Sequence, residues 1–451
     1  MTEPCELQLS QALQLLRSRS LSARELTASC LGRIAAHDQQ IGAFARVFAD
    51  EAMERATELD ESRPAGALHG IPVAVKDLIE VAGHATEAGS PAYAGHVPVR
   101  DASVVRMLRE AGAIVIGKSN THELAFGVST PATRNPWSLN RMTGGSSGGS
   151  AAALAAAMVP AALGTDTGGS VRNPSSYCGT VGLKTTPGLV ARDGLFMIST
   201  SYDVIGPMTR SCTDAVVLLE AMVGARTFRG LNRSDGLRET VVGLPADSYY
   251  EGLEMDSPVE SALEKKVDQI SSVGPSIVEV TPPSHRMHGE AGSVIVAAEA
   301  LHQHGRALAE TPELVSDDIR AFIGMADGLS AADLAAAHAA VSDFRQQWLR
   351  VFEDVDFVVS PVTPNHVPPH GASQIDGVPL IPATTQFTFP LNGAGLAALA
   401  IPGALADDGL PVGVQIVGPP GSDLRLLTLG QSLETAGLVS APLAPLATSR
   451  S

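Results

Sequence analysis

Two stretches of the chain gather glycine and serine in a pattern that could serve catalysis: Gly144-Gly-Ser-Ser-Gly-Gly-Ser150 and Gly164-Thr-Asp-Thr-Gly-Gly-Ser170-Val-Arg172. Glycine has no Cβ, so its backbone reaches positive φ and can turn several N–H groups toward one point, as an oxyanion requires. Ser170, at the end of the second cluster, is the candidate nucleophile, and the N–H groups of Thr167, Gly168, Gly169 and Ser170 are the candidate donors. A serine hydroxyl needs a base within hydrogen-bond reach. The chain has 12 His, none set out as in a Ser-His-Asp arrangement, whereas Lys76 closes the alternating run Gly70-Ile-Pro-Val-Ala-Val75. Burial at the end of such a strand would lower a lysine from its free pKa of roughly 10.4 and make it a base.

Plainer readings compete for the remaining polar residues. Gly144-Gly-Ser146-Ser-Gly148 also satisfies the Gly-x-Ser-x-Gly elbow, but that motif needs a preceding strand, and Trp137 to Met142 reads as a poor one. His366 and His370 have the spacing of a helical metal pair, yet Pro368 and Pro369 between them forbid the helix, so both read as loop residues. His122-Glu123 lacks a second histidine at the zinc-protease spacing, and no metal or other cofactor is indicated. Cys178, beside Tyr177 and Val181 with no adjoining basic residue, reads as buried packing. Ser147 and Ser150 read as loop hydrogen-bonders or a helix cap, and Asp203 as a support for the loop before Gly206-Pro207.

The elements that must hold these residues alternate. Leu7 to Arg17 has apolar residues at helical spacing, and Ser22 stands as N-cap before a helix from Arg24 to Ile34. The Lys76 strand is followed by a helix, Ser103 to Glu110, and a strand, Ala113 to Ile116. A second strand, helix, strand unit covers Thr240 to Leu244, Val259 to Val273 and Ser276 to Val280. Helical patterns span Ser293 to Leu308 and Ala331 to Phe352, the latter with Ser330 and Asp333 at capping-box spacing. Strands return at Phe357 to Ser360, Leu396 to Ile401 and Val412 to Val417, the last two joined by a turn at Asp408-Gly409. Ala151 to Leu163, Ala-rich and interrupted by Pro160, reads as a core helix. This alternation predicts an α/β layer fold, and the lack of an internal repeat or low-complexity linker favours one large domain over two.

Composition sets the outer limits. The chain has 451 residues, 44% apolar and 18% charged, which is globular and large enough to enclose a dry site. Aromatics are only 4% against 44 Gly, so small residues and close backbone packing must fill much of the core. A net charge of −17 disfavours direct binding to nucleic acid or to anionic membrane surfaces. No run is long enough to span a membrane, and the N-terminus has no secretory signal pattern. The widely spaced Cys5, Cys30, Cys178 and Cys212 suggest neither a disulfide framework nor a zinc knuckle, which fits a reducing cytoplasm.

The ordered set of runs resembles the amidase signature family. It comprises the lysine strand Gly70-Ile-Pro-Val-Ala-Val-Lys76-Asp77, both Gly-Ser clusters, Cys178-Gly-Thr-Val-Gly-Leu-Lys184, Gly206-Pro-Met-Thr-Arg210 and Gly409-Leu-Pro-Val-Gly-Val-Gln415. The resemblance implies a fold of that family over 1–451, α/β in class, a single large domain whose mixed central sheet is covered by helices on both faces. It divides into N-terminal helices (1–60), a signature core (61–225), a variable part (226–355) and C-terminal strands completing the sheet (356–451). It further implies Lys76 as base, Ser146 as a bridging serine on a cis peptide after Gly145, and Ser170 as nucleophile. Asp166 and Arg172 would brace the loop, and Ala125, Phe126 and Gly145 would border the substrate. The implied activity is hydrolysis of a linear, small or arylalkyl carboxamide through an acyl-enzyme. The alternatives are the glutaminase subunit of a tRNA-dependent amidotransferase, an esterase or acyl transferase on the same serine, and a silent binding module. Partners would be a small-molecule amide and, for the oligomer, a second copy in a homodimer. Three departures from the usual pattern stand out: Thr143 and Thr185 where proline is frequent, and a short link from Gly127 to Arg134 beside the expected acyl pocket. In Thr385-Gln-Phe-Thr-Phe-Pro-Leu-Asn392, Thr385 occupies the place where the glutaminase subunit carries an acid.

Overall fold

Segments such as Pro72–Lys76, Ile114–Ser119, Ala161–Asp166 and Val204–Thr209 are buried at every position. That is the pattern of strands covered on both faces, not on one. The computed structural model describes residues 3–231 and 239–448; residues 232–238 of the variable part lie outside the described residues. In chain order the strands of the central sheet are β1 (Phe44–Val47), β2 (Pro72–Lys76), β3 (Ile114–Ser119), β4 (Ala161–Asp166), β5 (Val181–Lys184) and β6 (Val204–Thr209). They continue with β7 (Val241–Pro245), β8 (Ser276–Val280), β9 (Phe357–Pro361), β10 (Ala397–Leu405) and β11 (Pro411–Gly418). Across the 11-stranded sheet the order is β1-β3-β2-β4-β6-β5-β10-β11-β9-β7-β8. It is mixed, as expected: β2 runs parallel to β3 and β4, while β4 and β6, and β10 and β11, are antiparallel.

One detail of this topology places the chemistry. β2 and β4 are parallel neighbours with Val75 beside Leu163, so Lys76 and the loop after Asp166 leave the sheet at the same edge. The carboxyl ends of strands in such sheets open into crevices where ligands bind. A fully buried helix, Gly148–Ala155, feeds into β4 and backs this edge.

Most expected elements are present, with shifted ends. The Ser22 capping box with Glu25 starts a helix that runs from Ala23 to Ile41, past the expected Ile34, until Gly42 turns left-handed. Ser330 and Asp333 form their capping box, and the helix expected from Ser293 begins earlier, at Arg286. Three expectations are corrected. Ala151 to Leu163 is not one helix: the helix stops at Ala155 and β4 begins at Ala161. Both halves are buried all round, so neither carried a period by which to tell helix from strand. Ser138–Met142 is a strand after all, but it pairs with Arg134–Asn135 in a hairpin beside the sheet and cannot serve as the strand of a hydrolase elbow. β1 lies within what reads as N-terminal helix, a four-residue edge strand too short to show alternation.

No helix of the described residues is long and apolar enough to cross a membrane, and all four cysteines are free and buried. Close packing of β5 and β6 depends on Gly206, where a Cβ would stand 2.1 Å from the Leu183 carbonyl oxygen. Gly206→Ala should therefore lower stability by about 3 kcal/mol, the upper end of overpacking costs, read as an earlier denaturant midpoint. An unchanged midpoint would show that the two strands can part at no cost.

Candidate active site

Lys76 ends β2 with its side chain fully buried. Its Nζ lies 2.8 Å from Ser146 Oγ and 2.7 Å from Thr165 Oγ1 on the neighbouring β4. Burial pushes the ammonium down to about 7, against the pull of the nearby Asp166 and Asp203 carboxylates, which favour the charged form. A neutral amine two hydroxyls deep in the protein can take up a proton, and an ordinary surface lysine at neutral pH cannot.

Ser146 follows a cis peptide from Gly145, the geometry that the sequence resemblance implied. Its carbonyl accepts the His122 N–H at 3.3 Å and the Thr130 hydroxyl at 3.3 Å. Gly145 packs so closely that a Cβ would stand 2.0 Å from the Ser129 carbonyl oxygen. This glycine is therefore required by close approach, and it does not line the cavity where it was expected to border substrate. Ser147 and Ser150 hold the strand behind: Ser147 Oγ donates to the Thr165 carbonyl at 3.2 Å, and Ser150 Oγ to that of Leu163 at 2.9 Å.

Ser170 lies one loop away, its carbonyl accepting the Ser147 N–H at 3.1 Å. Among the described residues no hydrogen bond joins the hydroxyls of Ser146 and Ser170; the structure brings the two loops together through backbone. Of the four expected donors, Gly169 is corrected: its N–H already donates to Asp166 Oδ1 at 2.8 Å. The N–H groups of Thr167, Gly168 and Ser170 make no hydrogen bond among the described residues. The loop is shaped from beneath by a buried ion pair, Arg172 Nε and Nη2 each donating to the Asp166 carboxylate at 3.0 Å. Burial works against ionisation of Asp166, but the Arg172 guanidinium overrides it and holds the carboxyl well below its usual range. The same Nη2 also reaches the Thr388 carbonyl at 3.0 Å and Asn392 Oδ1 at 2.6 Å, and Nη1 donates to Gln415 Oε1 at 3.1 Å.

The loop opens into a cavity of about 730 Å³, a volume usual for small-molecule sites. Ser170, Thr167 and Gly168 form its inner wall, together with the expected Ala125 and Phe126. Phe322, Val296, Ile319 and Phe389 make it largely apolar, and Arg286, Glu290 and Asp318 bring charge. Helix Asp317–Gly324 thus covers the cavity, with Phe322 against Phe126 at 5.4 Å between ring centroids. His366 and His370 lie in a loop, His366 Nε2 resting 3.1 Å from Asp408, and Cys178 is buried. Sequence reasoning missed Thr165, Asn392 and Gln415 as partners. Each stands inside a run already noted, but its partner lies on a distant segment and spacing carries no sign of it.

A family model described as Amidase matches residues 25–427. An amidase from Pseudomonas putida is 36% identical over 460 residues, covering 97% of this chain and 97% of that protein. A glutamyl-tRNA(Gln) amidotransferase subunit from Desulforapulum autotrophicum is 33% identical over 478 residues, covering 95% of this chain and 97% of that protein. Among solved structures, a crystal structure of an amidase superposes with a TM-score of 0.87 at 33% identity, covering 95% of this chain and 100% of that one.

Arg172→Met should lower stability by about 3–5 kcal/mol, because it leaves Asp166 buried without a counter-charge. Urea unfolding measures this, and a loss of under about 1 kcal/mol, the scale of an exposed pair, would mean that the pair does not organise the loop.

Proposed function

The chain belongs to the amidase signature family of hydrolases, and from that premise we propose that it cleaves the C–N bond of a linear carboxamide through an acyl-enzyme on Ser170. The observation that carries this reading is the fully buried Lys76, its Nζ 2.8 Å from Ser146 Oγ and its pKa lowered to about 7 by burial. Neutral Lys76 accepts the proton of Ser146, which accepts that of Ser170, and Ser170 Oγ attacks the amide carbonyl carbon. The two hydroxyls close their hydrogen bond once substrate is present, as resting sites commonly do. The N–H groups of Thr167, Gly168 and Ser170 receive the oxyanion, with the Gly169 N–H held back by Asp166. The relay then reverses: Lys76 returns its proton through Ser146 to the departing nitrogen, and the C–N bond breaks. Water, deprotonated along the same path, splits the ester and releases the acid.

The largely apolar cavity supports an arylalkyl or similarly bulky acyl group, which Ala125, Phe126 and Phe322 would enclose. Glutamine is the second substrate considered. Thr385 lines the cavity, without the acid of the glutaminase subunit, but Glu290 and Asp318 line it too and could answer an ammonium. The sequence-based objection to glutamine is thereby weakened. Ammonia release from glutamine set against an arylalkyl carboxamide separates the two readings, and fluorophosphonate labelling of Ser170 without amide turnover would point to an esterase or transferase. A reducing cytoplasm suits the four buried free cysteines.

Ser170→Ala and Lys76→Ala should each cut kcat/KM by about 1,000-fold or more, since members of a proton relay act as a unit. Near-normal turnover by Lys76→Ala would remove it as the base. The base works only when neutral, so kcat/KM should rise with pH through about 7 and level off above it. A profile flat into acid would contradict a neutral lysine.

A further inference from the structure

Asp203 precedes β6 and is 3% exposed. Its Oδ1 accepts the Thr167 hydroxyl at 2.6 Å, while Oδ2 accepts the N–H groups of Ile198 at 2.7 Å and Ser199 at 3.2 Å. Thr167 opens the loop that ends at Ser170, and both Thr167 and Ile198 line the cavity. The Ser199 hydroxyl donates onward to Glu299 on the Arg286–Glu310 helix, which also receives the Ser201 N–H at 3.0 Å. One buried carboxylate thus joins the nucleophile loop, the cavity wall and the helix behind that wall.

A neutral acceptor could make these same hydrogen bonds, and a buried charge is costly without a counter-ion. Arg192 Nη1 bonds the Asp203 backbone carbonyl at 2.9 Å, not its carboxylate. Lys76 feels the Asp203 charge without a bond to it. Burial raises the Asp203 carboxyl and Thr167, Ser199, Ile198 and Arg192 work against it, leaving it pushed up to about 6. Among the described residues, the other titratable groups in electrostatic reach of Lys76 are Asp166, paired with Arg172, and His122, which burial keeps low.

We propose that Asp203 is a positioning residue for the hydrolysis: it fixes Thr167 so that the Thr167 N–H aims at the oxyanion, and it supplies the negative charge that meets the cation formed on Lys76. During attack the Ser170 proton passes to Ser146 and the Ser146 proton to Lys76, so positive charge appears on a buried amine. An anion nearby favours that state. The inference rests on the Ser170, Ser146 and Lys76 reading above.

The test compares kcat and KM for Thr167→Val, Thr167→Ser and Asp203→Asn between about pH 5 and 9. Thr167→Val keeps the shape and removes the donor, and should lower kcat by about ten-fold or more with KM within about three-fold. Thr167→Ser restores the hydroxyl and should return kcat to within about three-fold of wild type. In Asp203→Asn the amide can donate to Thr167 and its oxygen can accept from Ile198, so the loop keeps its bonds but loses the charge. The Lys76 cation is then less favoured, and the acid limb should move to lower pH. Wild-type kcat in Thr167→Val, a Thr167→Ser as impaired as Thr167→Val, or an acid limb that stays in place or moves upward would each overturn the proposal. If Asp203→Asn does not fold, the Thr167 pair decides alone. Amide turnover by wild type and its loss in Lys76→Ala keep failure of this inference separate from failure of the underlying reading.

Discussion

An amine sealed away from water with no ion-pair partner is the constraint on which the rest of this structure turns. The described residues give Lys76 two hydroxyls and no carboxylate in contact. Lys118, equally buried on the neighbouring strand, shows the contrast: its Nζ lies 3.1 Å from Asp77 and bonds Thr86 and the Ile79 carbonyl. Burial pushes the Lys118 ammonium down as well, but the Asp77 carboxylate in contact with it opposes the shift, whereas Lys76 faces only hydroxyls in contact and can give up its proton. The sheet topology supplies this difference, since β2 runs parallel beside β4 and Lys76 Nζ reaches Thr165 Oγ1 on that strand.

A lowered pKa does not by itself identify a base. Lys184 is also pushed down to about 7 by burial, yet among the described residues its Nζ donates to the Thr185 carbonyl and to no serine hydroxyl. What separates Lys76 is its neighbour: Ser146, presented after a cis peptide, one backbone hydrogen bond from the Ser170 loop. Beneath that loop Asp166 and Arg172 form a buried pair whose spare donors and acceptors reach Thr388, Asn392 and Gln415. Segments more than two hundred residues apart therefore meet under the nucleophile, which explains why the C-terminal strands belong to the same domain.

Much of this was legible in the sequence because it is local. The lysine strand, the two Gly-Ser clusters and the capping boxes at Ser22 and Ser330 each carry their signal within a few residues. The α/β class followed from the alternation of strands and helices. What escaped was uniformly apolar, too short or too polar to show a period, or distant. Ala151 to Leu163 hid a strand because complete burial erases the period. β1 was too short to alternate, and the Ser138–Met142 strand lacked apolar alternation. The spent N–H of Gly169 could not be foreseen, because it depends on where the Asp166 carboxylate turns within the loop. Gly145 was read as bordering substrate, yet its side faces the Ser129 backbone.

The central claim concerns the protonation state of one side chain, and it can be observed without substrate. Lys76, Lys118, Lys184, Lys265 and Lys266 are few enough for isotope-labelled lysine side chains to be followed by NMR across a pH titration. Comparison with Lys76→Arg assigns the signal. The account predicts a Lys76 midpoint near 7. A midpoint near the free value of roughly 10.4 would mean a charged ammonium at neutral pH, and the proposed relay would have no base.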